Sequence, residues 1–170
     1  GKVLAIILFA TVPCTAMWAQ PIGSGPLRII VPAAAGGASD LSMRALADQL
    51  QRAWQQLDTM DHMDPLVAAR AARRAAGFGA HAMARQWLQP CWDRLAELPR
   101  DEREAVALAL ARNLDGLGPD WLPRLQSAEQ ALPLEPSVQA VVGSAYAERG
   151  LWGKARGPLE RAAVAHTLTS

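Results

Sequence analysis

Cysteine is scarce: Cys14 and Cys91 are the only two in 170 residues, so no disulfide framework can hold this chain together. Charge of one sign is lacking as well. The 17 basic and 16 acidic residues leave a formal net charge of +1. They are mixed along the chain, so no basic face advertises nucleic acid and no acidic block advertises a tail. Arg outnumbers Lys heavily, a bias that fits carboxylate or phosphate recognition and equally a codon-composition habit, so it carries no function. After the N-terminal segment no stretch approaches transmembrane length. Catalytic patterns are missing too. His62, His81 and His166 are far apart in sequence, with no ligand partner at helical spacing. No enzyme, metal site or cofactor is therefore expected. What is abundant is apolar: 51% of the residues, enough for one real core, which excludes a disordered chain.

The first residues, "GKVLAIILFATVPCTAMWAQ", carry one early positive charge at Lys2, an apolar run from Val3 to Val12, then Pro13 and small residues. This is a secretory signal pattern, with cleavage after Ala16 or Ala19. An uncleaved anchor or a buried apolar segment is the alternative, and the absence of an initiator Met leaves the start open. Residues 20–26, "QPIGSGP", form a linker. Leu27 to Val31 is a short β-branched-rich run closed by Pro32, "AAAGGAS" is a turn, and Ser39 or Asp40 can cap the following helix. In that helix Leu46, Leu50, Ala53 and Leu57 make one apolar stripe.

A strand, a glycine turn and a helix N-terminus can together hold an anion, because free backbone N–H groups converge there. "AAAGGASD" has neither the glycine spacing nor the Lys-Ser/Thr ending of a phosphate loop. It does resemble something: "PLRIIVPAAAGGASDLSMRALADQLQRAW" looks like the start of the periplasmic solute receptors of tripartite tricarboxylate transporters, the Bug or TctC-like family. The resemblance implies that Gly36, Gly37, Ser39 and Asp40 occupy a carboxylate-binding loop. It covers roughly residues 20–55, and the family's further α/β pattern does not follow.

Everything afterwards reads as helix. "DPLVAARAARRAAGFGAHAMARQWL" starts with Asp64 as cap and Pro65 at the first helical position, breaks at Gly77 and Gly79, and resumes. "RDEREAVALALARNLDGLG" has acidic residues in its first turn and glycines at its end. The valines of "VQAVVGSAYAERG" follow a helical face rather than a strand. "DTMDHMD" is expected to be a polar turn between helices, not a cation site. Cys91 is expected to be a buried structural thiol, and Trp87, Trp92, Trp121 and Trp152 to be core rather than a haem pocket. Pro90 is expected to kink or split its helix, and Gly153, Gly157 and Pro158 to weaken the last one, with local strain or a helix break there.

Helix pairs of similar length suggest the helix-turn-helix repeat of about 34 residues called tetratricopeptide. The last copy places Gly143, Tyr146, Gly150, Ala155, Leu159 and Ala162 at its signature positions, after Pro136. The middle copy has Ala109, Gly116, Leu125 and Ala128, with Arg112 and Trp121 departing from the pattern and Pro133 closing the unit. The first runs Pro65, Ala72, Ala75, Gly79, Ala84 and Leu88. Its turn glycine precedes Gly116 by 37 residues, and Gly116 precedes Gly150 by 34. Ala or Gly at contact points lets helices approach, and larger side chains fill the spaces between pairs. A generic Ala-rich helical bundle is the alternative.

"ARQWLQPCWDRL", "LPRDEREAVALALARNLDGLG" and above all "RGLWGKARGPLERAA" resemble the C-terminal tetratricopeptide region of HemY-type proteins, a family associated with haem biosynthesis. The match spans roughly residues 57–165. It implies a periplasm-facing repeat region without established catalytic residues. The family's N-terminal membrane anchor is not matched, and its usual further helix after "AHTLTS" is expected to be missing.

These readings combine into a mainly α fold: about three tetratricopeptide-like stacked helical hairpins over residues 58–170, preceded by a signal-like helix at 1–19, the linker at 20–26 and a short isolated strand-loop-helix segment at 27–57. The expected function is a non-enzymatic exported scaffold, periplasmic or held at the inner membrane by an uncleaved N-terminal segment, taking a protein or peptide in a helical groove. Arg73, Arg103, Asn113 and Ser144 project onto the groove face. The alternative is a tricarboxylate-transporter receptor present as its N-terminal fragment. A composite of the two, with its seam between about Ala45 and Leu57, would explain both resemblances.

Overall fold

The computed structural model describes residues 38–167. Within them lie eight α-helices and no β-strand. The expected signal segment, linker and strand at Leu27 to Val31 fall outside the described residues, as do Gly36 and Gly37.

Helix α1 (Ala38–Gln55) carries Asp40 in its first turn and Arg52 in its last, complementing the helix dipole at both ends. It runs into the expected seam region as far as Gln55. Helix α2 (Thr59–Met63) is capped by Asp58, whose carboxylate accepts from the Asp61 N–H at 2.9 Å. "DTMDHMD" is thus a short helix between two acidic caps rather than a plain turn. Helix α3 (Pro65–Ala76) starts as expected: Asp64 Oδ1 accepts from the N–H groups of Leu66 and Val67 at 2.8 and 3.1 Å, and Pro65 takes the first helical position. Then come α4 (His81–Asp93), α5 (Arg100–Ala111), α6 (Leu122–Ala131), α7 (Pro136–Glu148) and α8 (Trp152–Thr167). Single 3-10 turns at Leu95–Glu97 and Pro119–Trp121 precede α5 and α6.

Two consecutive helix pairs pack closely. α3 lies on α4 and α7 on α8, while α5 packs on both α3 and α7, and α6 on α4 and α7. Small residues make this possible: Ala68, Ala69, Ala72 and Ala75 on α3 are fully buried, so its axis can approach its neighbours closely. Between the helices sit Leu88, Leu110, Leu125 and Tyr146, also buried. Burying each such leucine stabilises the fold by about 1.5–3 kcal/mol relative to exposure. Gly143 marks a close approach of α7 and α8: a Cβ there would lie 2.6 Å from Leu159 Cγ and 3.1 Å from the Ala155 carbonyl oxygen.

Three glycines in the connections after α3, α5 and α7 have left-handed backbone, Gly79, Gly116 and Gly150, with φ of 70, 63 and 71°. The first and last turns close alike. Gly79 donates to the Ala76 carbonyl and Ala80 to that of Ala75; Gly150 donates to Ala147 and Leu151 to Tyr146. This is the paired backbone cap that a left-handed residue allows after a helix. After α5 the pattern differs, and a side chain from α4 takes over. Arg85, 7% exposed, donates to the carbonyl oxygens of Asn113, Asp115 and Gly116 at 2.6, 2.6 and 2.9 Å. Burial lowers the Arg85 pKa, against the opposing pull of Asp120 and Asp115.

Several expectations need correction. Helices α4 and α8 run through Pro90 and Pro158 without a break, because each proline removes one backbone donor and the other bonds of the turn carry the helix past it. Trp152 is 70% exposed at the start of α8, whereas Trp87, Trp92 and Trp121 are core. On α1 the residues facing the core are Leu50 and Trp54; Leu46 and Ala53 are exposed, since α1 is covered only in part, by α3 and through Trp54 by Trp87 of α4. Trp54 stacks on Trp87 with centroids 4.7 Å apart, and its carbonyl lies 2.7 Å from His62 Nε2. Cys91 is buried in the core as expected, which pushes its thiol pKa up.

Candidate functional site

Arginine spacing on α3 builds the most distinctive surface. In "ARAARRAA", Arg70, Arg73 and Arg74 stand three and four positions apart, so they share one helix face while Ala69, Ala72 and Ala75 face the core. Arg112, at the C-terminal cap of α5, joins them. With Leu50 of α1 and Leu66, Val67 and Ala71 of α3, the four arginines line a groove of about 880 Å³. Its single acidic lining residue is Asp64, whose carboxylate is occupied in capping α3.

The guanidinium groups are largely uncommitted. Arg74 lies over the Phe78 ring, 5.8 Å from its centroid. Arg70, Arg73 and Arg112 have no ion pair or side-chain hydrogen bond among the described residues. Like charges at these helical spacings repel by roughly 0.2–0.5 kcal/mol per pair. Proximity to a helix C-terminus offsets this for Arg73, Arg74 and Arg112 but not for Arg70 in mid-helix.

The four groove residues expected from sequence do not converge. Arg73 lines the arginine groove. Ser144 is exposed on α7 and lines a separate hollow between α5 and α7 with Arg100, Glu104 and Leu108. Arg103 is committed: it pairs with Glu135 at 3.1 Å and donates to the carbonyls of Leu95 and Leu98 at 3.3 and 2.9 Å. Asn113 is 0% exposed and on no groove face. Its Nδ2 donates to the carbonyls of Ala72 and Ala109 at 3.2 and 2.8 Å, and its Oδ1 lies 3.1 Å from His81 Nδ1. A helical projection cannot distinguish this buried staple from a groove residue, because both point toward the neighbouring first helix. Arg70, Arg74 and Arg112 were missed, although "ARAARRAA" and the departure of Arg112 from the repeat pattern were visible signals.

Of the receptor loop, Ser39 and Asp40 lie in the first turn of α1, and Asp40 pairs with Arg44 at 2.9 Å instead of standing in an open loop. No helix among the described residues is long and apolar enough to cross a membrane. No protein-family model matches the chain, and neither a curated protein nor a solved structure does.

Proposed function

We propose that this chain is a tetratricopeptide-like scaffold without catalytic activity, binding a protein partner on the surface formed by its first helices, α3, α5 and α7. The observation that carries the reading is the set of left-handed glycines, Gly79, Gly116 and Gly150, at spacings of 37 and 34 residues. A generic bundle has no reason to repeat that conformation at near-equal intervals; a repeat of about 34 residues does. The packing of α5 on α3 and of α7 on α5 supports it, because stacked first helices generate a continuous recognition face. Export, a periplasm-facing position and an association with haem biosynthesis enter as parts of the same proposal, resting on the N-terminal signal pattern and on the HemY-type resemblance of "RGLWGKARGPLERAA".

The test is site-specific photo-crosslinking in cells, with the crosslinker at Ser144 on the proposed face or at Gln86, exposed on α4. Discrete protein adducts from Ser144 and none from Gln86 are expected. Equal labelling from both positions, or none from either, would remove the scaffold reading.

A further inference from the structure

The arginine groove specifies the chemistry of its occupant. We propose that it binds an acidic protein segment, with carboxylates paired to Arg70, Arg73 and Arg112 and an apolar side chain seated against Leu66 and Val67. This rests on the scaffold reading and names the partner class for one part of its surface.

Charge complementarity is the first argument. Four guanidinium groups line the groove and its single carboxylate is already used, while the chain as a whole is almost neutral at +1. The positive potential is therefore local, and Arg70 has no structural duty that accounts for it. Each guanidinium presents a planar fork that takes a carboxylate with two parallel hydrogen bonds. The apolar wall is the second argument. Leu66 is half-exposed beside Arg70, so an occupant that covered it would exclude water and strengthen the ion pairs around it. A nucleic acid strand fits less well: the groove lining contains no aromatic side chain on which a base could stack. A volume of about 880 Å³ suits several side chains of one peptide segment.

The experiment measures fluorescence anisotropy of a labelled peptide of alternating Glu and Leu blocks against the full chain, with a Lys/Leu peptide as counterpart. Arg70→Glu is expected to weaken binding roughly tenfold or more, as is raised salt. Lys154→Glu, which changes the net charge equally from α8, is expected to alter it less than about twofold. Leu66→Ser should weaken binding with little change in its salt dependence. Circular dichroism melts check that each variant keeps its fold. The proposal is overturned if the two charge reversals act equally, if the Lys/Leu peptide binds as well, if inorganic phosphate or single-stranded DNA displaces the peptide at matched ionic strength, or if no peptide binds. Crosslinking at Ser144 with no peptide binding would overturn this inference and leave the scaffold; loss of both would remove the scaffold too.

Discussion

Arg85 Nη1 donates to the main-chain carbonyl of Asn113 at 2.6 Å, so a charged side chain from α4 closes the loop after α5. The same guanidinium reaches Asp115 and Gly116, which makes it the side-chain counterpart of the backbone caps after α3 and α7. Arg85→Met should cost about 3 kcal/mol in urea unfolding, because carbonyls bonded to a charged donor lose it together. Arg85→Lys should recover less than half, since an ammonium cannot span three acceptors as a fork does. A methionine variant within about 0.5 kcal/mol of the parent would show that water replaces the guanidinium.

The turn glycines make a sharper demand. A Cβ added at Gly79 or Gly150 would meet nothing within 4 Å, and at Gly116 only the tip of Arg85 at 3.9 Å. Substitution there tests backbone conformation almost free of packing. Alanine at each should cost about 1–2 kcal/mol, the penalty for an L-residue in left-handed backbone, and asparagine less. Three similar losses by thermal unfolding are expected; a neutral alanine at any of them would mean its turn can reach another conformation cheaply.

Gly143 tests packing rather than conformation. Its missing side chain leaves room for Leu159 and for the Ala155 carbonyl, so Gly143→Ala must displace α8 or the leucine. Alanine gains about 1 kcal/mol of helix propensity while overpacking costs about 1–3, so the net should be a modest destabilisation. Leu159→Ala should relieve it. A double-mutant cycle is expected to show coupling of about 1 kcal/mol, and simple additivity of the two substitutions would argue against close helix contact here.

Much of this was legible in the spacing of small residues. Gly79, Gly116, Gly150, Ala72, Ala109, Ala128 and Ala155 serve as turns or contact points because their roles follow from size and allowed φ, which travel with residue type. Asn113 and Arg85 were not legible. Their burial depends largely on carbonyls distant in sequence, 28 positions away for Arg85 with Asn113 and 41 for Asn113 with Ala72, and residue type alone would place both on the surface. The arginine groove fails for a related reason: Arg112 joins Arg70, Arg73 and Arg74 only once α5 packs on α3. Trp152 shows the opposite error, since an aromatic at a helix start is apolar in pattern and yet is left exposed by the described residues.

The last pair of helices contains a titratable reporter. Tyr146 is buried, and its hydroxyl donates to Glu129 Oε2 at 3.2 Å; Glu129 Oε1 in turn accepts from Arg161 Nη2 at 2.6 Å. Burial and then the Glu129 charge push the phenol from its ordinary value up to about 12. The raised value means that the folded state holds the phenolic proton more tightly than the unfolded chain, where it leaves near pH 10. The resulting stability is fully present below about pH 10 and is lost as pH rises toward 12. Since Tyr146 is the sole tyrosine, the tyrosinate absorbance reports this group alone. Titration near 12 is expected for the parent. Glu129→Gln should bring it down without reaching the ordinary value, because burial, the larger cause, remains. Tyr146→Phe should flatten the loss of stability across that alkaline window. A parent titrating near pH 10 with its helical signal intact would contradict both the burial of the phenol and its contact with Glu129.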